Sequence, residues 1–271
     1  MPDYKVSIGN AEVISLTDGM DRAAATDVFP NVPASEWDKY PGARGADGKL
    51  DVNFGSFVVR SQGVTILVDT GWGPGYPGVL LDELREKGIG IDEIGVVAIT
   101  HIHPDHVGWN VIEENGKTRL TFPKARYLIP KGDYDHFRQR HELEKAPHMT
   151  SQVLALEPLG AMKITDGETS LTSEVTLVPT PGHTPGHVSV DIYSQGQRGF
   201  ILGDVINFPA QAHETHWDLI YDTDHKLARS TRETVLERLE KNGSIVGMGH
   251  FRPPSFGRFI RSEGRRLWQV L

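Results

Sequence analysis

The sequence contains no cysteine among its 271 residues. That absence excludes structural disulfides, thiolate metal ligands and a cysteine nucleophile, although it says little about the cellular compartment. The chain also lacks an apolar run long enough to span a membrane, and its polar start, "MPDYKVSIGN", has no hydrophobic segment of the kind found in signal peptides. We therefore expect a cytoplasmic protein with no membrane partner.

An excess of positive charge is missing as well. Lysine and arginine number 28 against 36 aspartates and glutamates, which gives a formal net charge of −8. Nucleic acids and anionic membranes bind basic surfaces, so we expect no nucleic-acid partner. The 38% hydrophobic and 24% charged residues are ordinary for a soluble globular protein. We expect a single domain over residues 1–271 that acts on a small-molecule substrate.

Strand-like and helix-like stretches come in two similar batches, at 50–130 and 170–250. In the first batch, two β-rich runs around "SQG" predict a hairpin at 53–71, and "IGVVAIT" (94–100) predicts a strand buried on both faces. The second batch has three strands in close succession, then a helix, then a final strand, "SIVGMGH". Because the outer faces of such sheets need helical cover, the pattern predicts an α/β fold, a four-layer αββα sandwich of two mixed β-sheets.

Three segments predict helices in these batches. "PGVLLDELREKGI" predicts an amphipathic helix that ends at Gly88, and a second helical segment runs from about residue 131 to 145. The third, "TDHKLARSTRETVLERLEKNG", ends at Asn242 and Gly243. Its predicted buried face consists of Leu227, Val235, Leu236 and Leu239.

Residues 20–50 are rich in proline, glycine, alanine and aspartate, with Phe29, Trp37 and Tyr40 among them. Linkers rarely carry bulky aromatic residues, so this composition predicts a long ordered loop. Long ordered loops are often functional, and we expect this one to form a wall of the active site.

Three histidines and an aspartate crowd into the stretch "THIHPDHVGWN" (100–110), directly after the predicted buried strand. In an extended segment, side chains at i and i+2 point to the same side, so His101 and His103 can reach one ion together. After the turn at the following proline, Asp105 and His106 point in another direction and can reach a second, neighbouring point. Imidazole and carboxylate groups suit a borderline divalent metal such as Zn²⁺.

Three further candidate ligands follow other apolar strands. His183 comes after "VTLVPT", Asp204 ends "FILGD" and His250 ends "IVGMGH". A glycine directly precedes each of them and would permit close approach of the backbone. A single glycine followed by a ligand-type residue is not evidence of a site. Three such pairs, each at the end of a strand, are expected to converge on one edge of the sandwich.

Together these residues resemble the signature of the metallo-β-lactamase-fold metallohydrolases. The resemblance covers about residues 50–250 and includes the family's "VDTG" strand end at Asp69 and its "TPGHTPGH" segment. It implies two divalent metal ions per chain, zinc being favoured and iron, manganese or cobalt being alternatives. In the implied arrangement the first ion is held by His101, His103 and His183, the second by Asp105, His106 and His250, and Asp204 bridges the two.

The resemblance also implies a reaction. A hydroxide that bridges the two metals would attack an ester-like bond, and Asp105 would be the catalytic acid and base that passes its proton to the leaving group. The histidine at position 103 disfavours the di-iron, oxygen-reducing branch. The absence of cysteine and the presence of Asp204 disfavour the true β-lactamases.

The lactonase and esterase members match best, and "GDVINFPAQ" (203–211) resembles the corresponding stretch of methyl parathion hydrolase-like members. We therefore expect cleavage of a lactone or carboxylic ester. A phosphotriesterase or phosphodiesterase on the same centre is the nearest alternative, and a non-hydrolytic metal-binding or redox member is a second. A homodimer is an expectation at the level of the family only.

Several weaker features have two readings. Asp69 is more consistent with orienting a ligand than with an ordinary strand end, and His187 with a structural or supporting role. His213 and His216 are surface residues or touch the substrate. Other histidines, expected to be solvated, are His136, His141, His148 and His225. Aromatic residues that either line a pocket or pack in the core are Trp72, Tyr76, Trp109, Phe208 and Phe251.

Overall fold

The computed structural model describes residues 4–40, 42–45, 47–76 and 78–271. Within these residues the chain forms sixteen strands and six α-helices. No helix in the described part of the chain is both long and apolar enough to cross a membrane.

The strands are β1 (Lys5–Ile8), β2 (Ala11–Ala24), β3 (Lys49–Ser61), β4 (Val64–Val68), β5 (Val96–Ala98), β6 (Val111–Glu114), β7 (Lys117–Leu120), β8 (Arg126–Pro130), β9 (Met162–Thr165), β10 (Thr169–Ser170), β11 (Val175–Pro179), β12 (Val188–Ser194), β13 (Gln197–Ile201), β14 (Ile245–Gly247), β15 (Phe256–Ser262) and β16 (Arg265–Val270). The helices are α1 (Ala25–Val28), α2 (Leu80–Glu86), α3 (Pro104–Val107), α4 (Lys131–Phe137), α5 (Arg140–Leu143) and α6 (His225–Asn242).

Fourteen of the strands form two seven-stranded sheets. The first has the order β1-β2-β3-β4-β5-β8-β9 and the second the order β10-β11-β12-β13-β14-β15-β16. Both are mixed, because β4, β5, β8 and β9 run parallel to one another in the first sheet and β13 runs parallel to β14 in the second, while the other pairs are antiparallel. The hairpin β6-β7 stands apart from them.

The apolar side chains divide into layers that match this topology. Between the sheets, residues such as Ile66 and Val68 from β4 pack in one cluster with Leu177 and Val190 from the second sheet. On the outer faces, α2 packs on the first sheet and α6 on the second. Helix, sheet, sheet and helix therefore form four layers, which confirms the predicted αββα sandwich.

The predicted hairpin and the buried strand at 94–100 are present as β3-β4 and β5. Three details of the prediction are wrong. The segment 131–145 is two short helices rather than one, and β14 is followed by the antiparallel pair β15-β16 rather than being the last strand. In α6, Leu227 is 40% exposed, and the buried face carries Arg232 instead.

Residues 20–50, predicted to be a long loop, are partly regular. After a bulge between Thr17 and Met20, β2 resumes its pairing with β3, so that Asp21 lies opposite Val52 and Ala24 opposite Lys49. The short helix α1 follows. This pairing gives the segment regular structure, and its residues Asp21, Ala23 and Val28 line the cavity described below.

Candidate metal centre

Parallel strand pairs bring the ends of distant segments to one edge of the sandwich. In the first sheet Val68 pairs with Ala98, so Asp69 and the segment starting at Thr100 leave the sheet side by side. In the second sheet Ile201 pairs with Gly247, which places the residues after β13 beside those after β14. Because the two sheets face each other, the segments that follow β4, β5, β13 and β14 meet at one edge of the sandwich.

The first group consists of three histidines. The Nε2 atoms of His101 and His183 each lie 3.0 Å from Nδ1 of His103. Burial, followed by the neighbouring imidazoles, lowers the pKa values of His101 and His103 well below 6.5. These two rings are therefore neutral at pH 7, which is the form that binds a metal ion.

The second group consists of Asp105, His106 and His250. Oδ2 of Asp105 lies 3.6 Å from Nε2 of His106 and 3.6 Å from Nε2 of His250. Burial opposes the charged form of His106, but Asp105, Asp204 and Asp69 together raise its pKa to about 10. In the same way burial is outweighed at His250, where Asp204 and Asp105 raise the pKa to about 9.

Asp204 lies between the two groups. Its Oδ2 is 3.4 Å from Nε2 of His183 and 2.9 Å from Nε2 of His250, and its Oδ1 is 3.5 Å from Nε2 of His106. The structure thus brings together all seven ligands predicted from the sequence, which are His101, His103, Asp105, His106, His183, Asp204 and His250.

The donor atoms fit divalent metal ions. Among the described residues, Nε2 of His106 and Oδ1 of Asp204 are buried and have no hydrogen-bond partner, although both point into the centre. Buried polar atoms without a hydrogen-bond partner are costly, so these two atoms are suited to binding a cation. A set of imidazoles and carboxylates whose ligand atoms lie within 4.8 Å of one another suits Zn²⁺ or a similar cation.

In His106 and His250 the ring nitrogen that faces away from the centre is fixed by an oxygen. Nδ1 of His106 lies 2.9 Å from Oδ2 of Asp69, and Nδ1 of His250 lies 2.9 Å from the carbonyl oxygen of Asn53. Since these oxygens only accept hydrogen bonds, the rings donate from Nδ1 and keep Nε2 free for a metal. Asp69 therefore has the orienting geometry expected from the sequence, in a left-handed backbone conformation (φ 59°) that turns it away from its strand.

Asp222 plays the corresponding part for His183, whose Nδ1 lies 2.9 Å from Oδ1 of Asp222. Although burial favours the protonated carboxyl, the hydrogen bond and charge of His183 and the charge of Arg232 lower the pKa of Asp222. This residue is not among those predicted from the sequence. It lies in "DLIYDTD", a polar stretch outside any strand or helix, and no local pattern marks it.

Asp133 of α4 is a second residue that the sequence analysis missed. Its buried carboxylate accepts hydrogen bonds from the backbone of Ile102 at 2.8 Å and of Gly186 at 2.6 Å, and from the hydroxyl of Thr184 at 2.8 Å. It joins the segment that carries His101 and His103 to the segment that carries His183.

The residue before Asp204 is a glycine because a side chain at that position would clash with a neighbour. Gly203 adopts φ 58°, and a Cβ atom there would lie 2.6 Å from Nε2 of His187. His187 in turn accepts a hydrogen bond from the backbone N–H of Asp204 at 2.9 Å. Before His250 the close approach is made by the opposite strand, since a Cβ on Gly55 would lie 2.4 Å from the carbonyl oxygen of Gly249.

A cavity of about 540 Å³ opens onto this centre. Its polar lining includes His103, Asp105, His183, Asp204 and His250, and none of the described lining residues is lysine or arginine. The remaining walls are mostly apolar and include Val28, Val52, Phe54, Trp72, Tyr76, Phe208, Leu219 and Tyr221.

The remaining aromatic and histidine candidates divide into cavity, core and surface positions. Trp72, Tyr76 and Phe208 line the cavity, whereas Trp109 and Phe251 pack in the core. His213 and His216 are exposed and do not line it. His148, which we expected to be solvated, is half-buried and its pKa is lowered by burial.

Comparison with known proteins adds family information to this geometry. The model of the Metallo-beta-lactamase superfamily matches residues 56–250. The chain is similar to the N-acyl homoserine lactonase AiiA of Bacillus thuringiensis subsp. kurstaki, with 24% identity over 174 residues that cover 63% of this chain and 61% of the lactonase. It is also similar to the probable metallo-hydrolase YflN of Bacillus subtilis (strain 168), with 25% identity, 73% of this chain and 79% of that protein being covered.

Two solved structures have the same fold at low sequence identity. The hydrolase AbOPH of the beta lactamase superfamily gives a TM-score of 0.87 at 21% identity, with 99% of this chain and 97% of that chain covered. AidC, a dizinc quorum-quenching lactonase in complex with a product, gives a TM-score of 0.85 at 24% identity, with 98% and 96% covered. The match to AiiA spans less than two thirds of that lactonase.

Proposed function

Because the chain belongs to the Metallo-beta-lactamase superfamily, we propose that it is a hydrolase that uses two divalent metal ions, zinc foremost, to cleave a lactone or a carboxylic ester. The observation that carries this proposal is the meeting of seven metal-ligand side chains with an apolar cavity. Similarity to lactonases supports the choice of bond, at an identity of 24%.

The seven side chains would divide between two ions. When bound, the ions supply Lewis acidity to a substrate oxygen and lower the pKa of the attacking water. His101, His103 and His183 would hold one ion, Asp105, His106 and His250 the other, and Asp204 both.

Asp105 is suited to moving a proton. Its side chain is 14% exposed and lines the cavity, whereas that of Asp204 is only 4% exposed. A carboxylate that touches both the metal centre and the bound substrate can accept a proton from the nucleophile and deliver it to the departing alkoxide oxygen. The flanking apolar walls exclude water from the substrate during this step.

The lining of the cavity favours a neutral substrate. An anionic phosphodiester would normally be bound by lysine or arginine, and the described lining offers neither. A neutral ester or lactone with an apolar body needs no such partner and gains from burial against Phe54, Phe208 and Leu219. A phosphotriester is neutral too, so it is the second candidate.

The test is a substrate panel with metal-loaded protein. Turnover of lactones or aryl esters, with about two zinc ions bound per chain, supports the proposal. Turnover of phosphotriesters alone would select the second candidate, and redox-active iron without any hydrolysis would reject both. Asp105→Asn, which preserves size, should lose turnover, and Asp204→Ala should lose metal as well. Retention of both metal and turnover by these variants would refute the site assignment.

A further inference from the structure

We propose that Arg232 is a positioning residue that holds two of the metal ligands, His183 and Asp204, through separate hydrogen-bonded routes. The inference rests on the metal centre of the proposed function. It concerns a helix residue outside the cavity lining, since Arg232 lies on the buried face of α6.

The burial of this guanidinium calls for a reason. Arg232 is 0% exposed, and arginine is rarely buried unless its charge and its N–H groups are paired. Its donors are used almost completely. Nε donates to the carbonyl oxygen of Val205 at 2.9 Å, and Nη1 donates to those of Thr215 at 2.8 Å and Trp217 at 2.9 Å. Nη2 donates to Oδ2 of Asp222 at 3.1 Å.

The first route leads to His183. Asp222 uses its two oxygens in opposite directions, since Oδ2 accepts from Arg232 while Oδ1 accepts from Nδ1 of His183 at 2.9 Å. The hydrogen bond from the guanidinium fixes the plane of this carboxylate. A carboxylate fixed in this way accepts from Nδ1 and so holds the His183 ring in one orientation and one tautomer, with Nε2 turned towards the metal centre.

The second route leads to Asp204. Val205 directly follows Asp204 in the chain, and its carbonyl oxygen accepts a hydrogen bond from Nε of Arg232. Both lie in the short 3₁₀ turn Gly203–Val205, in which Asp204 has a non-helical backbone conformation (φ −101°, ψ 29°). A bond to the carbonyl at the end of this turn limits the movement of its backbone and therefore of the bridging carboxylate.

Only the fork of a guanidinium can serve both routes. Arginine presents N–H groups on three nitrogens in one rigid plane, whereas lysine offers a single ammonium on a flexible stem. Arg232→Lys should therefore keep the buried charge but lose the simultaneous contact with Val205 and Asp222. This variant separates positioning from the mere presence of a charge.

Zinc affinity, measured by competition with a chromophoric chelator, tests the proposal directly. We expect Arg232→Lys to bind zinc about 10- to 100-fold more weakly than the wild type. The matched control is Arg229→Lys on the same helix, whose side chain is 46% exposed and pairs with Asp218. The control should stay within about twofold of the wild type. Unchanged zinc affinity in folded Arg232→Lys would overturn the proposal.

A second measurement follows the His183 ring itself. In zinc-loaded protein labelled with ¹⁵N-histidine, the Nδ1 proton of His183 should exchange faster with water in Arg232→Lys, and not in Arg229→Lys. A merely structural role would leave this signal unchanged, and that result would also overturn the proposal. If Arg232→Lys does not fold, Asp222→Asn tests the first route alone. It should weaken zinc binding about 10-fold, and unchanged binding would refute that route.

These measurements do not depend on catalysis. A wild-type protein that binds zinc but cleaves no ester would refute the proposed function and leave the role of Arg232 intact. Conversely, active protein with unaltered zinc affinity in the variants would refute the role of Arg232 alone.

Discussion

Zinc loading of the metal-free protein should release more protons at one half of the centre than at the other. His106 and His250, with pKa values of about 10 and about 9, each hold a proton at pH 7 when no metal is present. A ring nitrogen must lose its proton before it binds a metal. His101 and His103, whose pKa values burial lowers far below 6.5, have none to lose.

The size of the effect follows from the difference between each pKa and the working pH. At pH 7, removing a proton costs about 4 kcal/mol from a group of pKa about 10 and about 3 kcal/mol from one of pKa about 9. At pH 7 the binding free energy of the ion at Asp105, His106 and His250 is less favourable by these amounts. Its affinity should fall about 100-fold for each unit that the pH drops below 9, because two protons compete with it. The ion at the three-histidine group should show a weaker dependence, because burial keeps His101 and His103 unprotonated at neutral pH.

Isothermal titration calorimetry can count these protons. Metal-free protein is titrated with Zn²⁺ at pH 7 in buffers of different ionisation enthalpy, and the slope of the observed heat gives the protons released with each ion. We expect about two with the ion bound by Asp105, His106 and His250, and fewer with the ion at the three histidines. Equal proton counts for both ions, or a parallel loss of both affinities on acidification, would show that the carboxylates do not hold the two rings protonated.

Three further predictions address the supporting residues, the cavity and the core. Asp69→Asn should weaken zinc binding about 10- to 100-fold in a chelator competition, since it removes the acceptor that orients one ligand ring; unchanged binding would contradict the orienting role. Tyr221→Lys, at an exposed cavity position, should raise KM for a neutral apolar ester about tenfold with little change in kcat. Tyr193→Lys, at an exposed position outside the cavity lining, should leave KM unchanged, and an equal rise in both variants would contradict the placement of the substrate in this cavity. Leu236→Ala should lower the free energy of unfolding by about 2–5 kcal/mol in urea titrations and Leu227→Ala by less than about 1 kcal/mol, because only the former is buried; equal losses would restore the helix face predicted from the sequence.

The meeting of the seven candidate ligands could be predicted because their chemistry and their position are both local signals. His101 and His103 follow a buried strand at a spacing that places them on one side, and His183, Asp204 and His250 each follow an apolar strand. Parallel pairing then places such strand ends at the same edge of a sheet. The type of each residue and its place after a strand therefore predict that these side chains meet, whereas their division between two ions came from the family resemblance.

The groups that orient the ligands gave no such signal. Asp222 lies 39 residues from the histidine it contacts, in a stretch without regular structure. Arg232 has the spacing of a buried position in α6, but arginine on a helix is normally assigned to the solvent face. Leu227 was assigned to the core for the opposite reason, although it is 40% exposed. Residue type gave the wrong burial for both side chains, because the packing of α6 against residues 203–222 decides which of its side chains are buried.

The outer helices therefore do more than cover the apolar faces of the sheets. Each side of the sandwich contributes one fully buried charge to the segments that carry ligands. Asp133 of α4 binds backbone N–H groups at Ile102 and Gly186, and Arg232 of α6 binds carbonyl oxygens at Val205 and Trp217. A carboxylate can only accept hydrogen bonds and a guanidinium can only donate them. Asp133 therefore satisfies backbone N–H groups and Arg232 satisfies backbone carbonyl groups, in loops that are not paired with any strand. Irregular segments held in this way can present seven ligands with fixed geometry, which loops tied only by their own turns would not achieve.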